Sequence, residues 1–113
     1  KIINISSIAG KFRSPVSGTH YVSSKSALIG MTKQLAYENA KYNLNINVVC
    51  PGQTMTEMLI KSMKSNEIEK IKKKIPLGRI ATVKDQVGPI LFLCSSMSNY
   101  ITGSCIDVNG GQI

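Results

Sequence analysis

The chain has 113 residues, which is enough for one small domain. Its apolar content of 42% is ordinary for a globular protein, and no run of eighteen apolar residues exists, so no membrane partnership is expected. The formal net charge is +8, from fourteen basic and six acidic residues, but aromatics are only 5% and no recognition motif is present, which argues against nucleic acid.

The chain opens on Lys1-Ile2-Ile3-Asn4-Ile5, without methionine, like the middle of a buried strand. It is expected to be a fragment whose N-terminal part is absent. Residues 2–6 predict a strand from their β-branched apolar character. Gly10, Pro15 and Gly18 punctuate a loop over 9–19. Residues 20–42 predict a helix of about six turns. Leu28, Met31 and Leu35 form its apolar line, and Ser23, Ser24, Ala27 and Gly30 form a small-residue face.

Residues 45–50 predict a second strand, stopped by Pro51-Gly52. Residues 55–74 predict helix in pieces, with apolar spacing at Met55, Met58, Leu59 and Met63 and a break at Ser65-Asn66. Thr82 reads as an N-cap, with Asp85 three residues later resembling a capping box. A helix should follow to about Ser96, kinked or delayed by Pro89. Residues 104–109 predict a third strand, ended by Gly110-Gly111.

Strand, helix, strand, helices, strand implies parallel neighbours joined by helical crossovers. The expected class is α/β: the C-terminal half of a doubly wound Rossmann-type parallel sheet with three strands. Ser6-Ser7 and Pro51-Gly52 each follow a strand, so they should line one cleft with the start of the long helix.

Cys50, Cys94 and Cys105 are far apart and odd in number, without a Cys-x-x-Cys or Cys/His pattern. Buried free thiols in a reducing cytoplasm are expected, and no metal site. Lys61, Lys64, Lys70, Lys72, Lys73 and Lys74 crowd one stretch. They read as a solvated helix face, or as a landing site for an acidic partner or anionic substrate.

Tyr21 and Lys25 are one helical turn apart, so phenol and ammonium share a face. A nearby cation stabilises phenolate, which makes the tyrosine usable for proton transfer near neutral pH. A Ser-His-Asp hydrolase is a poor alternative. The sole histidine, His20, adjoins Tyr21, and no acidic residue is placed to orient it.

Several stretches together resemble the C-terminal half of the short-chain dehydrogenase/reductase family. They are Ile3-Asn4-Ile5-Ser6-Ser7-Ile8-Ala9-Gly10, Tyr21-Val22-Ser23-Ser24-Lys25, Asn47-Val48-Val49-Cys50-Pro51-Gly52, Pro76-Leu77-Gly78-Arg79, Tyr100-Ile101-Thr102-Gly103 and Asp107-Val108-Asn109-Gly110-Gly111. They occur in family order and cover nearly the whole chain. The 3-oxoacyl-carrier-protein reductase group is the most similar branch.

The resemblance implies an NAD(P)-dependent oxidoreductase that moves a hydride between nicotinamide and a carbonyl or secondary alcohol. NADP is favoured over NAD, and a 3-oxoacyl thioester on an acidic carrier protein is the expected substrate. A sugar or polyol dehydrogenase is the alternative within the family. A non-catalytic cofactor sensor or scaffold is the alternative outside enzymology.

Tyr21 matches the catalytic tyrosine and Lys25 the lysine that lowers its pKa and holds the nicotinamide ribose. Ser7 matches the catalytic serine, with Ser6 as fallback. Ser7 precedes Tyr21 by fourteen positions, one more than the family's usual spacing, so a residue is inserted in the Lys11–Thr19 loop. Pro51, Gly52, Thr54 and Thr56 match the segment that touches nicotinamide and pyrophosphate, and residues 54–74 match a substrate lid.

Residues 1–113 would then be the C-terminal catalytic part of a single Rossmann-type domain, with the N-terminal dinucleotide-binding half absent. The glycine-rich phosphate loop and the family's catalytic asparagine would lie in that half, so residues 1–113 alone are expected to be inactive. A cytoplasmic homotetramer or homodimer is expected.

Overall fold

The computed structural model describes residues 1–112, the side chain of Ser62 apart. Three strands, β1 (Ile2–Ile5), β2 (Ile46–Pro51) and β3 (Cys105–Val108), form one parallel sheet in the order β1-β2-β3. Helix α1 (Thr19–Asn39) joins β1 to β2. Helices α2 (Glu57–Ser62), α3 (Ser65–Lys72) and α4 (Val83–Cys94) lie between β2 and β3. This is the parallel α/β arrangement expected from the element order.

The core is built around β2, whose residues Ile46 to Cys50 are all buried. Val48 and Cys50 pack on Ile29 of α1, with Cys105 beside them. Strand alternation turns Asn47 and Val49 to the opposite face. There α4 touches all three strands. Covering on both faces explains why β2 reads as a nearly unbroken apolar run. Each buried Val or Ile contributes roughly 1.5–3 kcal/mol. Asn47 interrupts that run but is satisfied. Its Nδ2 donates to the Ile101 carbonyl at 2.9 Å, and its Oδ1 accepts from the Ser104 N–H at 2.9 Å.

Helix α1 buries a different stripe from the expected Leu28, Met31 and Leu35. Ile29, Thr32 and Ala36 face the sheet, while Met31 is 49% exposed. Small residues let the helix sit close to β2. Thr32 also has a polar task there: its Oγ1 accepts from Asn4 Nδ2 at 2.8 Å and donates to the Leu28 carbonyl at 2.7 Å. Ser23, Ser24, Ala27 and Gly30 lie on the exposed side of α1.

The break in the 55–74 segment falls at Met63 and Lys64, not at Ser65-Asn66. Ser65 and Asn66 open α3, where Glu67 turns back to accept from the Lys64 N–H at 2.8 Å. Short polar residues serve a helix start as readily as a break. Thr82 caps α4 as expected, with Asp85 accepting from the Thr82 N–H at 2.6 Å. The helix starts at once and runs through Pro89, so the proline does not delay it.

The three cysteines are free, but only Cys50 is fully buried; Cys94 is exposed. Burial pushes the Cys50 thiol up to about 12, and its hydrogen bond with Cys105 adds to this. Among the described residues no helix is long and apolar enough to cross a membrane. Strand β1 has one neighbour among the described residues, and Ile2 and Ile5 on it are exposed.

Candidate active site

All three strands run the same way, so the loops after Ile5, Pro51 and Val108 emerge at one edge of the sheet. The first two turns of α1 meet that edge. Lys25 Nζ donates to the Ile5 carbonyl at 3.0 Å. The same ammonium is 5.7 Å from the centre of the Tyr21 ring. Ser7 stands two residues beyond Ile5 and caps the short turn Ile8–Gly10, its Oγ accepting from the Ala9 N–H at 3.2 Å. The fold thus brings Ser7, Tyr21 and Lys25 to one corner, with Tyr21 38% exposed.

The corner is held by close contacts. Gly10 lies against α1 so tightly that an added Cβ would sit 2.7 Å from the Lys25 carbonyl carbon. Ser26 Oγ donates to the Gly10 carbonyl at 2.8 Å. Ser6 is buried, and its hydroxyl donates to the Lys25 carbonyl at 2.8 Å. Ser6 therefore has a framework task. The Ser7 hydroxyl accepts one bond, and its proton is uncommitted among the described residues.

The loop after β2 presents a second set of groups. The Gly52 N–H donates to the Val108 carbonyl at 3.0 Å, and a Cβ on Gly52 would meet the Asn109 backbone at 2.9 Å. Thr54 forms a parallel bridge with Ala81, through Gln53 and Met55. In such a bridge the N–H and C=O of Thr54 itself point the other way. Neither has a partner among the described residues. Thr54 Oγ1 donates to the Gly52 carbonyl at 3.2 Å, and Thr56 Oγ1 caps α2 by accepting from the Leu59 N–H at 3.3 Å.

This corner can be set beside known proteins. A family model described as enoyl-(acyl carrier protein) reductase matches residues 1–112. A 3-oxoacyl-[acyl-carrier-protein] reductase of Aquifex aeolicus is 45% identical over 113 residues, which is 99% of this chain and 44% of that protein. The chain belongs to the short-chain dehydrogenase/reductase family. Two solved structures support this. A 3-oxoacyl-[acyl-carrier protein] reductase of Brucella melitensis matches with a TM-score of 0.92 and 36% identity, over 97% of this chain and 41% of that one. 4-Hydroxyisoleucine dehydrogenase complexed with NADH matches with a TM-score of 0.85 and 37% identity, over 98% and 45%. The chain spans less than half the length of each of these relatives.

Other stretches that carry the short-chain dehydrogenase/reductase resemblance are framework. Thr102 Oγ1 accepts from the Ile46 N–H at 3.1 Å, which ties the Tyr100-Ile101-Thr102-Gly103 stretch to the start of β2. Gly110 and Gly111, both at positive φ, lie against Ile75 and Pro76, where a Cβ would come within 2.8 and 3.0 Å. Arg79 grips Asp85 through two bonds of 2.7 and 2.8 Å.

One positioning residue escaped the sequence reading. Gln86 of α4 is buried, and its Nε2 donates to Thr54 Oγ1 and to the Val108 carbonyl, both at 3.2 Å. It joins the loop after β2 to the end of β3. A lone polar residue on an otherwise apolar helix face was the only available signal. His20 is exposed, and its ring makes no hydrogen bond among the described residues.

Proposed function

We propose that the protein containing this chain is an NAD(P)-dependent reductase of 3-oxoacyl thioesters. The observation that carries this is the corner itself. A phenol and an ammonium share the first turns of α1, and the ammonium reaches the strand end that leads into Ser7. In this reading the Ser7 hydroxyl donates to the substrate carbonyl oxygen and holds it in place. Tyr21 protonates that oxygen as charge develops on it. Lys25 stabilises the resulting phenolate and holds the ribose hydroxyls of the cofactor. The nicotinamide supplies the hydride. Thr54 suits the carboxamide end of that cofactor, because its unpaired N–H and C=O match a group with one acceptor and one amide donor. Pro51 and Gly52 allow close approach, and Thr56 offers its hydroxyl. NADP is the favoured form over NAD, and the phosphate loop belongs to a segment outside residues 1–113.

An acyl-carrier-linked substrate fits the charge distribution. Phe12, Arg13, Ser14, Pro15 and Lys74 line an open groove between the loop after Ser7 and the end of the lid. Two cations there, and the exposed Lys70 and Lys73 nearby in sequence, would attract an acidic carrier and its phosphate-bearing arm. A cytoplasmic homotetramer or homodimer completes the reading. Its support is two exposed faces, Ser23, Ala27 and Gly30 on α1, and Val83, Val87 and Leu91 on α4.

The test offers acetoacetyl thioester on carrier protein and on coenzyme A to the complete protein, with NADPH or NADH, and follows nicotinamide absorbance. Reduction with NADPH, faster on the carrier, is expected. Oxidation of sugars or polyols without thioester reduction would move the protein to that branch of the family. Cofactor binding without any turnover would leave a sensor or scaffold.

A further inference from the structure

The sequence spacing of the cysteines forms no metal motif, but the sheet creates one. Cys50 of β2 stands directly opposite Asp107 of β3 in the register. Cys105 precedes Asp107 by two residues, so all three side chains leave the same face. The Cys50 and Cys105 sulfurs are 3.2 Å apart. The two sulfurs and a carboxylate oxygen of Asp107 all lie within 4.8 Å of one another. The cluster already attracts a cation, because Lys11 Nζ pairs with Asp107 Oδ2 at 2.5 Å.

We propose that Cys50, Cys105 and Asp107 form a binding site for a thiophilic divalent cation, zinc above all. Two sulfurs and one carboxylate oxygen are a donor set that zinc accepts, with water completing a tetrahedron. Zinc–sulfur bonds of about 2.3 Å at a tetrahedral angle hold two sulfurs roughly 3.8 Å apart. The present 3.2 Å therefore needs to open by only about half an ångström.

The competing product, a Cys50–Cys105 disulfide, fits the backbone less well. It needs a sulfur separation of about 2.05 Å and Cα atoms within roughly 7 Å. Cys105 pairs with Val48, two residues from Cys50. Strand rise and strand spacing then put the two Cα atoms about 8 Å apart.

Binding replaces the two thiol protons by one metal ion. Two thiolates, a carboxylate and a divalent ion leave one negative charge. The Lys11 ammonium can balance it by donating to the carboxylate oxygen that is not bound to metal. The site is structural, because Cys50 is fully buried between strands and α1. It would pin β2 to β3 just before Pro51-Gly52 and Asn109-Gly110, and so hold both turns in place.

The experiment titrates cobalt(II) into the complete protein, reduced and stripped with a chelator. One equivalent per chain should produce a thiolate-to-cobalt charge-transfer band, and zinc should displace it. Cys105→Ser should lower cobalt affinity at least about tenfold. Asp107→Asn should weaken it too. Cys94→Ser, on the exposed side of α4, should leave the titration unchanged. Cys105 is half-buried, so its serine variant keeps the test usable if Cys50→Ser fails to fold. Three results would each overturn the site: no charge-transfer band in the reduced parent, a band that survives Cys105→Ser, or loss of both thiols to a disulfide in place of metal uptake.

Discussion

The corner between β1 and α1 and the segment from Gln53 to Lys74 border the same sheet edge, yet they are built in opposite ways. In the corner, the Ser6 and Ser26 hydroxyls each donate to a backbone carbonyl across the junction at 2.8 Å, and Gly10 leaves no room there for a side chain. In the segment from Gln53 to Lys74, α3 has no buried residue, and its Lys72–Glu69 ion pair joins residues of the same helix. A site that must aim a proton needs fixed atoms, whereas a surface that must admit a bulky substrate benefits from few fixed contacts. Under the proposed function, the contrast suits chemistry at the corner and substrate admission at residues 54–74. Substitutions should follow that division.

The largest effect should belong to Tyr21, the proposed proton donor. Tyr21→Phe in the complete protein should lower kcat by at least about 100-fold while cofactor affinity holds, from lost acid catalysis. Lys25→Ala should harm both quantities, because the proposed mechanism uses one ammonium for phenol and ribose. Cofactor fluorescence titration alongside steady-state kinetics separates the two. A Tyr21→Phe enzyme within threefold of the parent would remove chemistry from the corner.

Gly10→Ala tests the rigidity of the corner. The new methyl would meet the Lys25 backbone at 2.7 Å, and backbone cannot yield as a side chain can. A cost of about 1–3 kcal/mol in chemical denaturation is expected, as for other overpacked positions. An unchanged midpoint would mean that the junction is looser than its contacts imply.

Asp85 tests the start of α4, where Arg79 of the preceding connector meets it. The Arg79 guanidinium, with help from the Thr82 N–H and hydroxyl, holds its carboxyl well below the ordinary 3.8. A depressed folded-state pKa stabilises the fold above about pH 4 and loses that contribution as pH falls through the folded value. Asp85→Asn should therefore melt below the parent at pH 7, and the gap should close as the solution is acidified below pH 4. The pair is largely exposed, so the gap should be small. A gap that widens in acid would contradict the assignment.

The smallest stability effect belongs to the exposed Lys70 of α3. Lys70→Ala should change unfolding free energy by less than about 0.5 kcal/mol, as at other exposed positions. It should still raise KM for a carrier-linked substrate more than for the coenzyme A thioester. Equal effects on both substrates would separate the lid lysines from the carrier.

The sequence determined the element order, the strand cores, the Thr82 cap and the tyrosine–lysine spacing. Each of these is a local pattern: a period, a turn residue, or one helical turn between two side chains. Tertiary structure decided what each of the two neighbouring serines binds, because the partner that occupies Ser6 is the Lys25 carbonyl, far along the chain. It also chose the buried stripe of α1, where closeness to β2 favoured Ile29, Thr32 and Ala36 over the longer Met31. Gln86 and the Cys50–Cys105–Asp107 cluster were invisible in the sequence for the same reason. Their partners come together only when β2 and β3 pair and α4 crosses them.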